Sequence, residues 1–183
     1  TLATRSIVVA TGAAPFVPPL PGLEDVGYLT SDTLWGLREQ PKRLVVLGGG
    51  PIGCELAQSF ARLGSQVTQI EMLPRIMIRE DEEVSAYAKK ALEADGVTIL
   101  TGHKALRCEK RGDVRTIVVE SNGKETAIEF DTLLCAVGRS ARLKGFGLEE
   151  LGIPVNKTVQ VNEFLETNFP NILAAGDVAG PYQ

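Results

Sequence analysis

The chain has 183 residues, a formal net charge of -4, and hydrophobic and charged fractions of 44% and 23%. A chain of this length can bury roughly 70% of its unfolded surface, so it can form a core without external staples. No apolar run approaches the roughly 18 residues that cross a bilayer, and the scattered Lys and Arg form no basic stripe; both membrane-spanning and nucleic-acid-binding classes are set aside. Cys54, Cys108 and Cys135 lie far apart with no CxxC pair, which leads to the expectation of reduced thiols in a cytoplasmic protein. His103 precedes Cys108 by five positions, but no third or fourth ligand is visible, and no metal is expected. The first methionine is Met72, so the chain is expected to be a piece of a longer protein.

Taken in order, Ile7-Val8-Val9-Ala10-Thr11-Gly12 is an apolar run stopped by glycine, the pattern of a parallel strand covered on both faces. Residues 13–22 hold Pro15, Pro18, Pro19 and Pro21, which argues for a connector outside any sheet or helix. Ser31-Asp32-Thr33 offers caps for a short helix over Leu34, Trp35 and Leu37, closed by Pro41. Leu44-Val45-Val46-Leu47 then reads as a strand that stops in Gly48-Gly49-Gly50. The chain restarts as a helix that places Ile52, Leu56, Ala57, Phe60 and Leu63 on one face and ends at Gly64.

The spacing Gly48-x-Gly50-x-x-Gly53 matches a dinucleotide fingerprint. Its first glycine makes the turn, its second lets a pyrophosphate approach the backbone, and its third allows close strand–helix packing. The following helix aims unpaired N–H groups and its positive dipole end at the same place, and Pro51 suits a first turn that has no use for its N–H. Gly48, Gly50, Pro51, Ile52 and Gly53 are therefore candidate cofactor contacts.

Gln66 to Ile70 reads as a second parallel strand with Glu71 at its tip, followed by Met72 and a loop marked by Pro74. A helix is expected from about Glu80 to Asp95, acidic at its start, with Lys89 and Lys90 near its end and Gly96 as its stop. Val97 to Leu100 is the third strand. Leu106–Glu109, Val114–Glu120 and Thr126–Phe130 are separated by Arg111-Gly112-Asp113 and Ser121-Asn122-Gly123-Lys124, which are hairpin signals. They predict a three-stranded antiparallel meander where a crossover helix would be usual. Thr132 to Arg139 returns to a buried strand, Leu143 to Ile153 reads as a loop with a helical turn at Leu148 to Leu151, and Val159 to Val161 is a short strand. Asn171 to Val178 is the last buried strand, with Asp177 at its tip. The fold class is α/β: a Rossmann-like parallel sheet with helices and a meander crossover.

Four ordered motifs resemble the two-dinucleotide-binding flavoproteins, the family of dihydrolipoamide dehydrogenase, mercuric reductase and glutathione reductase. These are Val9-Ala10-Thr11-Gly12, the fingerprint with Cys54-Glu55-Leu56-Ala57, Ala136-Val137-Gly138-Arg139, and Ala174-Ala175-Gly176-Asp177. The dihydrolipoamide dehydrogenase and mercuric reductase branch is the nearer likeness. The resemblance implies an NAD(H)-binding domain at 42–143, inserted between two segments of an FAD-binding domain at 1–41 and 144–183. It places Gly12 at the junction of the domains, Asp177 on the ribityl chain of FAD, and Glu55 toward nicotinamide and flavin. It also implies that the longer protein passes hydride from NADH to FAD and on to a disulfide or similar acceptor, as a homodimer, with the remainder of its own chain as partner. The chain carries no paired redox cysteines and no acid–base histidine, so no catalytic residue is assigned and the piece alone is expected to be inactive. Ser140-Ala141 follows Arg139 where the family often has Pro-Asn.

Glu71 lies 18 positions after Gly53, close to the roughly 20-residue offset at which an acid meets the adenosine ribose. A carboxylate accepts from both ribose hydroxyls and repels a 2′-phosphate. Two charges about 4 Å apart interact by roughly 1 to 4 kcal/mol between water and an intermediate dielectric, which disfavours NADP(H) by roughly one to three decades. Arg75 and Arg79 are the counter-evidence, since either could meet a phosphate. Val137 and Gly138 end a strand on the side of the sheet where such folds bind ligands. Glu55 is equally readable as a first-turn acid complementing the helix dipole, Cys54 as a small buried hydrophobe, and Asp177 as a strand-end carboxylate or cap. A dinucleotide-sensing or assembly module without disulfide reductase activity is the alternative function. A simple dehydrogenase would need a catalytic histidine, which His103 in a loop is badly placed to supply.

Overall fold

The computed structural model describes residues 4–180; residues 1–3 and 181–183 of the two expected flanking segments lie outside them. The chain divides into two compact units, one spanning 15–138 and the other formed by the residues up to Ala14 together with those from Arg139 onward. Strands β1 (Ile7–Val9) and β2 (Ala13–Pro15) come first. The larger unit opens with a single turn of helix, α1 (Leu23–Val26), a two-residue strand β3 (Leu29–Thr30) and a 3-10 turn at Leu34–Gly36. It continues through β4 (Arg43–Leu47), α2 (Pro51–Arg62), β5 (Gln66–Glu71), α3 (Glu82–Ala94) and β6 (Thr98–Thr101). Then come β7 (Lys104–Arg111), β8 (Val114–Ser121), β9 (Lys124–Phe130) and β10 (Thr132–Cys135). Strands β11 (Arg139–Ala141) and β12 (Ile172–Ala174) belong to the other unit.

The larger unit is built on a five-stranded parallel sheet in the order β3-β10-β4-β5-β6. Its layers follow from the period of two along a strand. Leu44 and Val46 of β4 and Leu134 of β10 face Cys54 and Ala57 of α2 and Leu92 of α3. Val45 and Leu47 of β4, with Leu133 and Cys135 of β10, face Ile117, Val119 and Phe130 of the meander, and Leu23 and Val26 of α1 join that side. The central strands are thus apolar on both faces, as a covered parallel sheet requires. The meander β7-β8-β9 is antiparallel throughout, and its second turn places Asn122 and Gly123 at φ 53° and 77°, the type I′ requirement.

Chain direction across the sheet reverses at β4. The chain proceeds outward through β5 and β6, then returns through the meander to enter β10 on the other side of β4. Ligand crevices in open α/β sheets form at the carboxyl ends of strands at such a switch.

In the smaller unit β1 pairs with β12 in parallel, from Ile7 opposite Ile172 to Val9 opposite Ala174. Val9, Leu148, Ile153, Val159, Ile172 and Val178 form its core. Several expectations are revised here. Strand β1 is not covered on both faces, since Ile7 and Val8 are 47% and 61% exposed. The proline-rich connector does contribute a strand: β2, whose first two residues lie in this unit, pairs with β11. Pro15 ends that strand at the edge of a two-stranded sheet, where a missing N–H costs nothing. Val159 makes only isolated bridges to Val155 and Ala179, and the last strand stops at Ala174 before a 3-10 turn at Gly176–Val178. Residues 15–41 pack within the larger unit, because Leu23, Val26 and Leu34 are buried against its sheet layers.

The first residue of β4 is tied to the end of the meander. Asp131 accepts from the Arg43 backbone N–H (2.8 Å) and from its Nε and Nη2 (3.2 and 2.8 Å), and Glu129 also pairs with Arg43. The Arg43 guanidinium beside it holds the Asp131 carboxyl below its usual range. A depressed carboxylate contributes stability above its unfolded pKa and loses it as pH falls through the folded value. The Asp131→Asn variant is therefore expected to melt about 2–4 °C lower at pH 7, a modest loss because the pair is part-exposed. The two melting curves should converge as the pH is lowered below the ordinary aspartate range, as thermal denaturation across pH will show.

Candidate functional site

At the carboxyl end of β4 the ladder to β10 continues one step past the strands, with the Ala136 N–H donating to the Leu47 carbonyl (2.8 Å). The Gly48 N–H turns to the other neighbour and donates to the Ile70 carbonyl of β5 (2.8 Å). Gly48 sits at φ 115°, and a Cβ there would lie 2.3 Å from the Ala136 carbonyl oxygen. At Gly53 a Cβ would lie 2.3 Å from the Gly48 carbonyl oxygen. Both glycines are therefore demanded by the fold itself. Gly50 differs: its φ is -77°, open to any residue, and a Cβ there meets nothing within 4 Å. The space over Gly50 is open.

Helix α2 starts immediately at Pro51, and its first intrahelical bond runs from the Cys54 N–H to the Gly50 carbonyl (3.0 Å). The amides of Ile52 and Gly53 precede that bond, so they point out of the helix end as donors for an anion. Glu71 closes the other side. Its Oε2 accepts from the Gly49 N–H (2.6 Å) and its Oε1 from the Leu73 N–H (2.7 Å), so its carboxylate is fixed by backbone at both oxygens. Each oxygen retains a lone pair for a further donor.

Of the candidate residues in this unit, Gly48, Gly50, Pro51, Ile52, Gly53, Glu71, Val137 and Gly138 gather at the ends of β4, β5 and β10. Gly48 and Val137 approach so closely that a Gly48 Cβ would stand 3.1 Å from the Val137 Cα. Met72 is exposed beside Glu71. Glu55 is exposed on the second turn of α2, so it is not the first-turn acid that the sequence allowed. Gly12 and Asp177 lie in the other unit. Gly12 adopts φ 66° and accepts from the Arg142 N–H (2.9 Å), while Asp177 sits 3.6 Å from the Arg139 Nε. Arg139 Nη2 also donates to the Ala13 carbonyl (2.6 Å), and Val9 pairs with Ala174, so the first and last motifs meet within that unit beside Arg139.

Cys54 is buried, donates its Sγ–H to the Gly49 carbonyl (3.5 Å) and accepts from Gln69. Burial pushes its thiol up despite the Gln69 bond, and Glu71 and Glu55 push it further the same way. It behaves as a small core residue. Burial likewise pushes Cys108 to about 11 and Cys135 to about 12. Arg75 donates to the Met77 and Glu80 carbonyls (3.2 and 2.9 Å) and so is occupied by its own loop.

Two residues of the site escape a sequence reading. Met77 adopts φ 50°, unusual for a side chain, and its N–H donates to the Gly49 carbonyl (2.7 Å). The segment after Pro74 is a strap anchored by fully buried Ile76, whose carbonyl accepts from Ser85 Oγ (2.7 Å). Gln69, fully buried, donates from Nε2 to the Gly48 carbonyl (3.0 Å). An amide among apolar neighbours in a central strand was the available signal for it.

The whole chain, residues 1–183, matches the family model described as pyridine nucleotide-disulphide oxidoreductase. The chain belongs to that family. It is 42% identical over 191 residues to a dihydrolipoyl dehydrogenase of Thermus scotoductus, covering 99% of this chain and 40% of the relative. It is 39% identical over 183 residues to a mercuric reductase of Staphylococcus aureus, covering 98% of this chain and 34% of the relative. Among solved structures, the copper(II) complex of the HOCl-induced flavoprotein disulfide reductase RclA of Escherichia coli superposes with a TM-score of 0.87. That match has 34% identity over 98% of this chain and 41% of that one. The chain thus spans about a third to a half of the length of the curated relatives it matches, from 29% to 54%. Family membership favours an oxidoreductase over a sensing or assembly module. No helix among the described residues is long and apolar enough to cross a membrane.

Two of the fingerprint glycines should separate on substitution. Gly53→Ala forces a methyl against the Gly48 carbonyl and should destabilise by about 1–3 kcal/mol, although alanine favours a helix. Gly50→Ala enters open space at an ordinary φ and should leave stability within about 0.5 kcal/mol. Chemical denaturation of the two variants checks the contrast.

Proposed function

We propose that this chain carries the NAD(H)-binding domain of a flavoprotein oxidoreductase that passes hydride from NADH to FAD and on to a disulfide or similar acceptor. The nucleotide domain is proposed at 42–143 and the flanks 1–41 and 144–183 as segments of an FAD-binding domain; by packing, 15–41 join the compact unit of the former and 139–143 that of the latter. The observation that carries the reading is the glycine turn: two glycines the fold cannot replace, and between them one whose missing Cβ leaves space for a ligand.

In this reading the Ile52 and Gly53 amides and the positive end of α2 hold the pyrophosphate, which approaches over Gly50 beside Pro51. Glu71, held by the Gly49 and Leu73 amides, accepts from the adenosine ribose hydroxyls, and Met72 lines that end. Val137, Gly138 and Glu55 border the path toward the nicotinamide. Gly12 and Asp177 are assigned to FAD, with Asp177 oriented beside Arg139. When bound, the two cofactors supply hydride transfer. The chain's residues bind and orient them, and no catalytic residue is assigned within it. The electron acceptor, the homodimer and turnover belong to the rest of the protein, and the chain alone is proposed to be inactive.

The fixed Glu71 carboxylate favours NAD(H) over NADP(H), since a 2′-phosphate would meet a charge that cannot swing away without breaking two hydrogen bonds. Arg75, bonded to backbone carbonyls, is not positioned to offset it. Fluorescence titration of the full-length protein should give NADH binding about tenfold or more tighter than NADPH, and Glu71→Ala should narrow that gap. Equal or tighter NADPH binding in the unsubstituted protein would remove Glu71 from this role. Gly50→Ala, with stability retained, should weaken NADH binding by about tenfold or more, because its methyl occupies the phosphate approach.

A further inference from the structure

Resting on the NAD(H) reading of the same loop, we infer that Gln69 is a positioning residue that sets both nucleotide affinity and the preference for NADH over NADPH. Gln69 lies on β5 with the side-chain parity of Val67, toward the helix layer, and none of it reaches solvent. A leucine or valine would pack there without polar atoms. Instead the amide spends one N–H donor on the Gly48 carbonyl (3.0 Å), contacts Cys54 Sγ (3.5 Å), and leaves its Oε1 buried without a partner. A buried orphan oxygen is unfavourable, so the sheet alone gives no reason for an amide at this position. Reversing the amide would oppose two oxygens, so its orientation is set.

The consequence runs through one peptide plane. The Gly48 carbonyl and the Gly49 N–H belong to the same peptide and point in opposite directions. Gln69 holds the carbonyl inward, and the N–H on the far side is the donor that fixes Glu71 Oε2 (2.6 Å). The Gly48 oxygen also sits where a Gly53 side chain would be, so it has no latitude on that side. Gln69 therefore acts on the ribose end of the site through the Gly48–Gly49 peptide, without touching a ligand.

The test is Gln69→Leu in the full-length protein, with NADH and NADPH titrated separately and melting temperature recorded. The substitution removes the orphan Oε1 but takes the donor from the Gly48 carbonyl, so one unsatisfied oxygen replaces another and the melting temperature should stay within about 4 °C of the unsubstituted protein. NADH binding should weaken about three- to tenfold, the net value of one hydrogen bond, and the NADH to NADPH ratio should narrow by a similar factor. In steady-state turnover this appears as a raised KM for NADH with kcat changed less than the KM. Gln69→Met, which keeps the length of the side chain and removes the amide, should behave alike and serves if the leucine variant does not fold. Three results overturn the inference: unchanged affinities in a folded variant, equal weakening of both nucleotides, or failure of both variants to fold. Absence of NADH binding by the unsubstituted protein would instead remove the nucleotide reading itself, and the role of Gln69 with it.

Discussion

Everything at the site depends on the contact between the Gly48 carbonyl and the Cα of Gly53. A side chain at position 53 would stand 2.3 Å from that oxygen, so the strand can turn into α2 this sharply only with glycine there. The tight turn puts the start of α2 directly at the end of β4, and the helix's first unpaired amides face the crevice where β4 and β10 part. Gly48 must be bare for a separate reason, because its own Cβ would strike the Ala136 carbonyl at the end of β10. One glycine thus sets the distance from strand to helix and the other the distance from strand to strand.

That turn is also where the sequence was most legible. Glycine spacing, the apolar strand before it and the amphipathic helix after it predict α2 to within two residues, and the Asn-Gly turn predicts the meander. These features are local: each is decided by backbone conformations or periodicities within a few residues. What the sequence did not show depends on partners distant in the chain. Strand β3, only Leu29 and Thr30, exists because β10 offers it an edge more than a hundred residues later. The one-turn helix α1 is fixed by burial of Leu23 and Val26 against the meander, and a Gly22 Cβ would collide with the Cys108 carbonyl. Proline density suggested a plain connector over 13–22; Ala13–Pro15 depart from it as β2, while 16–22 carry no helix or strand and pack Val17 and Leu20 against the core.

The same distinction holds for site residues. The offset from Gly53 to Glu71 brings the carboxylate to the Gly49 N–H of the turn, because βαβ units have a nearly constant length. The reading lacked the means of holding it. Gly49, outside the fingerprint spacing, supplies the N–H for Glu71 and a carbonyl for Met77, and a Cβ there would crowd the Glu71 side chain at 2.8 Å. Met77 accepts a left-handed backbone at φ 50° to reach that carbonyl. Strain of that kind, of order 1–3 kcal/mol, persists where surrounding contacts over-determine it, and buried Ile76 next to it provides them.

In the proposed function the turn would also solve a conflict between two anions. A carboxylate placed near a helix N-terminus would compete for the same donors that a pyrophosphate needs. Here the donors are divided by position. Glu71 takes the Gly49 N–H and the Leu73 N–H, both outside the helix, while Ile52 and Gly53 keep theirs at the helix end. Pro51, standing between the two groups, has no N–H to dispute. The carbonyls of Gly48 and Gly49 are drawn inward by Gln69, Met77 and Cys54, so neither would face the proposed phosphate. The loop thereby keeps the N–H groups of the helix end apart from the carboxylate, and in the proposed function this division would be set by peptide orientation before a nucleotide binds.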